Sequence, residues 1–170
     1  YGNWVDGTSA LGAEVQVRLL RGAAVIAQAS TDASTANGEF EVEFFTAGGS
    51  RVIIQPNDLV VVDAGEPITV PVTPLTAIVD TAADRVTGVG PAGEQLQVYA
   101  AGETRMPTVA ADGSYIADFA GATDIRPGNW IEVEYTNDEG NVVWLGWNAP
   151  LVRINLSSDI VDGYATPNAV

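Results

Sequence analysis

The residues of this chain that could do chemistry are almost all carboxylic acids. The sequence has no His, no Cys and no Lys, and its seven basic residues are all Arg. Ser-His, Cys-His and Ser-Lys pairs and Schiff bases therefore have no members here. A carboxylate pair for glycoside hydrolysis is still available, but the acids of Glu39–Glu43 and Glu132–Glu134 alternate with apolar residues, as on the solvent face of a strand. The inventory predicts a protein that is not an enzyme and uses no cofactor.

Metal ligands are equally scarce in the sequence. Zinc sites are built mainly from Cys and His, which are both absent. Calcium needs several oxygen ligands that converge from a loop, and the best local cluster is Asn137, Asp138 and Asn141. Since Asn, Asp and Gly are also turn formers, we interpret this segment as a hairpin turn and predict no metal site.

Exposed aromatic residues are the remaining candidates for ligand binding. Trp130 aligns with Leu59 in the repeat described below, which favours a core position. In a straight strand Trp144 and Trp147 point to opposite faces, and packing in a core or at a seam between modules is the favoured interpretation. The alternative is a glycan-binding patch. Its candidate residues are Trp147, Trp144, Tyr135 and Asn148.

The charge balance limits the partners of this protein. The chain carries 22 acidic against 7 basic residues, a formal charge of −15. This field repels nucleic acid phosphates and anionic lipid head groups, and no apolar run approaches the roughly 20 residues of a membrane-spanning helix. We predict that the chain neither binds nucleic acid nor inserts into a membrane.

Strand patterns dominate the sequence. Glu39–Phe44 alternates acidic and apolar residues with a period of two, so Phe40, Val42 and Phe44 share one face. Turn-forming residues separate such segments every 8–12 residues or so, which is the spacing of sandwich folds. The predicted fold is all-β and antiparallel, without amphipathic helices.

The chain begins in the same way three times. Val5-Asp6-Gly7, Val86-Thr87-Gly88 and Val161-Asp162-Gly163 are 81 and 75 residues apart. Pro56-Asn57-Asp58-Leu59 also matches Pro127-Gly128-Asn129-Trp130. The repeat predicts one domain over residues 1–82, a second over 83–160, and a further strand over 161–170, with a stiff junction near Thr81–Arg85.

Matched apolar positions predict the two cores. In the first domain they are Val15, Val17, Phe40, Val42, Phe44 and Leu59. In the second domain they are Leu96, Val98, Tyr115, Phe119, Trp130 and Val133.

The repeated motifs resemble those of the bacterial immunoglobulin-like and carboxypeptidase-regulatory-like β-sandwich families. The resemblance rests on Val86-Thr87-Gly88, Pro91-Ala92-Gly93, Leu96-Gln97-Val98, Asp112-Gly113-Ser114-Tyr115 and the Pro127–Trp130 turn. It implies two tandem antiparallel immunoglobulin-like β-sandwich domains. In those families such modules are spacers, stalks or adhesive units of exported proteins, and the resemblance brings no catalytic residues.

The two ends of the sequence suggest contacts with neighbouring modules. The last segment is either the start of a further repeat in a longer polypeptide or a strand that pairs with an identical subunit, which would give a head-to-tail polymer. The candidate linking residues are Val161, Gly163, Tyr164, Val170, Tyr1 and Trp4. We expect a non-catalytic structural module at the cell surface; the alternatives are a carbohydrate- or receptor-binding adhesin module and an accessory domain of a larger secreted enzyme.

Overall fold

The computed structural model describes residues 2–165, and every regular element within them is a β-strand. The prediction of an all-β antiparallel protein is confirmed for these residues. None of them belongs to a helix that could cross a bilayer. The chain divides into two compact units, the first ending at Thr73 and the second beginning at Pro74.

Unit 1 contains six strands in two sheets. They are β1 (Trp4–Thr8), β2 (Glu14–Arg21), β3 (Ala24–Asp32), β4 (Glu39–Glu43), β5 (Leu59–Asp63) and β6 (Pro67–Pro71). One sheet pairs β1 with β4, and the other has the order β3-β2-β5-β6. The apolar faces of the two sheets enclose one core, which is the arrangement of a small β-sandwich.

Unit 2 repeats this pairing pattern and adds one strand at its start and a two-stranded hairpin at its end. Its strands are β7 (Ile78–Asp80), β8 (Arg85–Val89), β9 (Gln97–Ala100), β10 (Glu103–Arg105), β11 (Ser114–Asp118), β12 (Trp130–Thr136), β13 (Val142–Asn148), β14 (Leu151–Asn155) and β15 (Ile160–Tyr164). The sheets have the orders β11-β8-β7 and β10-β9-β12-β13, and β14 pairs with β15 alone. Strands β8 to β13 therefore pair as β1 to β6 do in unit 1.

Alternation along the strands fills both cores as the sequence predicts. Phe40, Val42 and Phe44 are buried while the intervening glutamates are exposed. The other buried predictions are Val15, Val17, Leu96, Val98, Tyr115, Phe119 and Val133. Two predicted core positions are wrong, because Leu59 is half-buried and Trp130 is 41% exposed. Each is the first residue of its strand, and the next residue, Val60 or Ile131, faces the core instead.

The predicted junction near Thr81–Arg85 lies inside unit 2. Residues 81–84 are the turn that joins β7 to β8, and Val79 pairs with Val86 across this hairpin. The Asp80 carboxylate accepts hydrogen bonds from the backbone amides of Ala82 and Ala83. The polar, small-residue composition that suggested a junction is therefore that of a capped turn, and the division between the units lies nearer the N-terminus, at Thr73 and Pro74.

One turn is built in the same way in both units. Asn57 and Gly128 follow a proline and have positive φ angles of 70° and 86°, which selects the type II form of a Pro-initiated turn. The residue after each of them, Asp58 or Asn129, accepts a hydrogen bond from the backbone amide three positions earlier, at 2.8 Å and 2.7 Å. The turn is thus defined in each unit by one residue with a positive φ and by one side chain that accepts a backbone hydrogen bond.

In unit 1 that turn also holds a buried charge. Arg21 donates two hydrogen bonds to the Asp58 carboxylate, at 2.8 Å and 2.9 Å, and Asp58 is 1% exposed. These bonds, together with the amide of Gln55, hold the pKa of Asp58 below its usual range despite the opposing effect of burial. Unit 2 has the neutral Asn129 at the equivalent place.

The substitution Asp58→Asn should lower the free energy of unfolding of unit 1 at pH 7 by about 1.5–3 kcal/mol, because it removes a charged acceptor but keeps the turn. The folded-state pKa of Asp58 is depressed, so the unfolded state binds more protons on acidification below about pH 4. The advantage of the wild-type protein should therefore shrink as the pH falls through that lowered pKa. Urea titrations at pH 7 and pH 3 measure it. Asp124→Asn, in an exposed ion pair, should change stability by about 1 kcal/mol or less. An equal wild-type advantage at both pH values would contradict the role given to this carboxylate.

Candidate functional site

The outer face of the four-stranded sheet of unit 2 carries three aromatic residues. Paired residues of neighbouring strands lie on the same face, and Glu132 pairs with Tyr99 on one side and with Gly146 on the other. Trp130 and Trp144 lie two residues from this row, on β12 and β13, and therefore share its face. We call Tyr99, Trp130 and Trp144 the aromatic face. The opposite side of the same strands presents Ile131, Val133 and Trp147 to the core.

A glycine brings the two tryptophans of the aromatic face together. A Cβ atom placed on Gly146 would lie 2.8 Å from Cζ3 of Trp144 and closer still to the ring of Trp130. Both indole rings therefore rest against the backbone of Gly146, where no other residue would fit without moving them. They remain 41% and 38% exposed. The result is a broad aromatic surface supported directly by the sheet.

Carboxylates lie beside the aromatic rings. Trp130 donates its indole N–H to Glu132 at 3.1 Å, and Gln97 donates to Glu134 at 3.2 Å. Both glutamates are half-buried, although the alternating pattern predicted a fully solvated face. Burial, with the neighbouring charge of Glu132, raises the pKa of Glu134. The oxygens of each carboxylate can accept further hydrogen bonds besides this one.

An open groove of about 490 Å³ begins at Trp130 and Tyr99. Its remaining lining residues are Ala101, Gly102, Thr123, Asp124, Arg126 and Asn129. Arg126 and Asp124 form an exposed ion pair at 2.8 Å. The groove thus combines two aromatic walls with planar polar groups.

The structure divides the four predicted ligand-binding residues between the two faces of the sheet. Trp144 and Asn148 lie on the aromatic face, and Asn148 donates to the carbonyl of Gly128. Trp147 is 6% exposed, within the core, and Tyr135 packs against that core. The predicted patch around Trp147 is corrected accordingly, since the alternation of β13 turns Trp147 inward and Trp144 outward.

Sequence reasoning missed Tyr99 and misplaced Trp130. The signal that could have placed Trp130 was the alternation of β12. Ile131 and Val133 are the apolar residues of one face, so Trp130 must share the other face with Glu132. Alignment of Trp130 with Leu59 did identify an equivalent position, but both are partly exposed.

The weak metal candidate, Asn137, Asp138 and Asn141, lies in the turn between β12 and β13. Asn137 accepts hydrogen bonds through its side-chain oxygen from the backbone amides of Glu139 and Asn141. Asp138 is exposed. Within residues 2–165, no three acidic side chains gather as metal ligands would. The side chain of Asn137 is occupied by the turn itself.

The predicted linking residues Val161, Gly163 and Tyr164 lie in β15, and Trp4 begins β1. Tyr1 and Val170 lie outside the described residues. The β14–β15 hairpin, residues 151–164, carries Arg153 and Asp162 on one face, where they form an ion pair at 2.6 Å. Its other face is apolar.

The β14–β15 hairpin repeats the β7–β8 hairpin at a spacing of 75 residues. Ile154 pairs with Val161 as Val79 pairs with Val86. The four-residue turns end in Asp159 and Asp84, which have positive φ angles of 54° and 50°.

The hairpins also share a close backbone approach. A Cβ on Gly163 would strike the carbonyl of Leu151, and a Cβ on Gly88 would strike that of Thr76. The two hairpins therefore have the same strand register, the same type of turn and the same close contact between a glycine and a backbone carbonyl.

The two hairpins differ in what covers them. Val86 is fully buried in the core of unit 2. Its counterpart Val161 is 68% exposed, and Ile154, opposite it, is 67% exposed. The apolar face of the β14–β15 hairpin thus has the composition of a core surface but no second sheet over it within residues 2–165.

No family model matches the chain, and no curated protein matches it. A crystal structure of a tetra-tandem repeat in the extending region of a large adhesion protein is similar over 86% of this chain, with 19% identity and a TM-score of 0.32. The match covers 44% of the crystallised repeat chain, so this chain spans less than half of the length of that chain.

The opposite placement of the two tryptophans of β13 predicts opposite effects on stability. Trp147→Ala should destabilise unit 2 by about 3–5 kcal/mol, because it empties a core position, whereas Trp144→Ala should cost about 1 kcal/mol or less. Chemical denaturation followed by far-ultraviolet circular dichroism measures both. Similar losses for the two variants would show that the faces of β13 are assigned incorrectly.

Proposed function

We propose that this chain is a non-catalytic structural module of an exported surface or filament-forming protein, built from tandem immunoglobulin-like sandwiches that stack end to end. The observation that carries the proposal is the β14–β15 hairpin, which has the register and turn of the β7–β8 hairpin but an uncovered apolar face. The hairpin is the beginning of a further sandwich.

The exposed side chains support this assignment. In unit 2, the β7–β8 hairpin is completed by β11, which pairs with the free edge of β8, and by the facing sheet. A two-stranded hairpin is marginally stable alone, and three or more strands with a buried face are needed for independent stability. Covering Ile154 and Val161 therefore gives the hairpin the stabilisation that Val79 and Val86 have in unit 2.

A complementary edge lies in unit 1. Strand β8 is paired on both sides, by β11 and β7, whereas β1, its counterpart, is paired within residues 2–165 by β4 alone. A β14 strand that separates from β15 and pairs with β1 of a neighbouring subunit would fill this edge as β7 fills the edge of β8. Such strand addition gives affinity through backbone hydrogen bonds, and a head-to-tail contact that does not close produces a filament.

The residue inventory supports a role without chemistry in the chain itself. A protein without His, Cys or Lys lacks the usual nucleophile and base pairs. The resemblance to sandwich families of exported bacterial proteins supports a location at the cell surface. The net charge of −15 favours solubility and disfavours nucleic acid as a partner.

Extending the chain tests whether the hairpin begins a sandwich. Residues 91–149 are appended after Ala165, the position equivalent to Gly90, so that the β14–β15 hairpin receives the strands that complete unit 2. A further cooperative unit should form and protect the amide of Val161 from hydrogen exchange, because this amide, like that of Val86, would face the added counterpart of β11. Hydrogen-exchange mass spectrometry measures this protection.

A matched variant of the extended chain distinguishes an appended segment that folds onto the hairpin from one that is only covalently attached to it. Val161→Asp places a charge in the new core and should abolish the added protection while leaving units 1 and 2 intact. An appended segment that stays unprotected in the parent extended chain refutes the assignment of the hairpin.

Single cysteines test strand exchange, since the natural chain has none. The pairing of Ile78 with Thr87 in unit 2 corresponds to Arg153 of one subunit opposite Asp6 of another. Mixed Asp6→Cys and Arg153→Cys chains should form a mixed disulfide faster than either chain dimerises with itself. Non-reducing electrophoresis of chains with different tags measures the products, and Thr69→Cys on the outer edge of unit 1 is the control. Equal cross-linking by the control argues against exchange at this edge.

A further inference from the structure

We propose that the aromatic face and the groove beside it form a binding site for neutral carbohydrate chains. This goes beyond the structural role and does not depend on it, because every residue involved lies in unit 2.

The first argument is the exposure of large aromatic side chains where the core does not need them. Strand β12 fills the core with Ile131 and Val133, and β13 fills it with Trp147. Trp130 and Trp144 are additional aromatic residues on the far side of the same strands, 41% and 38% exposed. Exposed apolar residues mark ligand-binding grooves and interaction sites where they are contiguous rather than scattered singly.

The second argument is the internal comparison between the two units. In unit 1 the pairing of β2, β5 and β6 places Arg18, Leu59 and Pro67 at the positions of Tyr99, Trp130 and Trp144. The positive-φ turn and the buried face recur in both units, but the aromatic face occurs in unit 2 alone. Folding does not require these aromatic residues, since unit 1 forms the same sheet without them.

The third argument is the shape and polarity of the surface. Tyr99 and Trp144 lie on strands separated by β12, hence about 10 Å apart across the sheet. The aromatic rings offer flat apolar surfaces, and Glu132, Glu134 and Gln97 offer hydrogen-bonding groups in the same row. A sugar ring is complementary to this surface. Its apolar C–H face can stack on an aromatic ring, and the hydroxyl groups around its edge can donate hydrogen bonds to the carboxylates.

The charge of the surface selects among ligands of that shape. Two half-buried carboxylates lie under the bound chain, and burial already disfavours the charged form of Glu134. An anionic sugar or a nucleic acid strand would add like charge at close range, which is unfavourable. Neutral hydroxyl groups are the donors that fit. The hydrogen bond from Trp130 to Glu132 fixes the ring in place before binding, which reduces the entropy lost on association.

Binding is tested on the whole chain with neutral oligosaccharides. The probes are the hexamers of the cello-, xylo-, malto- and chito-series, titrated to millimolar concentration by calorimetry and by tryptophan fluorescence. At least one series should bind saturably. Trp130→Ala and Trp144→Ala should each weaken that binding about tenfold or more, as expected for loss of a stacking aromatic.

Control variants test whether a loss of binding is specific to the aromatic face. Phe45→Ala removes a 46% exposed aromatic from unit 1 and should leave binding unchanged. Trp144→Phe should retain part of the affinity, and circular dichroism of each variant checks that the fold is intact.

Three results would overturn the proposal. They are absence of saturable binding in all four series, equal binding by the Trp130→Ala and Trp144→Ala variants, and binding of anionic polygalacturonate oligomers in preference to the neutral series. A second copy of the chain could also occupy such a surface, and sedimentation velocity tests for it. If the unliganded chain self-associates and Trp130→Ala abolishes this association, the aromatic face is a contact between copies instead.

Discussion

Burial of one face of each paired strand is the constraint on which the rest of this structure depends. A sheet in a small sandwich has a core side and an outer side, and successive residues must alternate between them. In β4 the alternation places Phe40 and Val42 inside, with the glutamates turned away. In β13 it places Trp147 inside and Trp144 outside. The same rule therefore determines the core, the aromatic face and the open surface of the final hairpin.

Local patterns made much of this architecture predictable from sequence. Strict alternation over residues 39–44 identifies both the strand and its buried face, because no helix would gather Phe40, Val42 and Phe44 on one side. The repeated Pro-initiated turns were equally informative, since Asn57 and Gly128 are residues that tolerate a positive φ. These features depend on neighbours within a few residues, which a sequence displays directly.

Features that depend on pairing between distant strands were less accessible. The aromatic face arises because Glu132 lies between Tyr99 and Gly146, two residues that are far away in the sequence. The sequence also left open which face of the sheet the first residue of a strand lies on, and Trp130 was assigned to the core for that reason. At residues 81–84, composition alone could not separate a junction from a hairpin turn, since both favour small and polar residues; the pairing of Val79 with Val86 decides it.

The two units share a strand arrangement but differ on the outer face of the sheet. The core face of each unit must meet a second sheet and is restricted to apolar residues that fit, whereas the outer face has no such partner. Unit 2 has Gly146 where unit 1 has Thr69, and only glycine lets two indole rings lie against the backbone at that point. Glycine in a strand interior costs about 0.5–1 kcal/mol relative to alanine. Unit 2 has the glycine where both tryptophans approach the backbone, and unit 1, which lacks the tryptophans, has no glycine at the equivalent position.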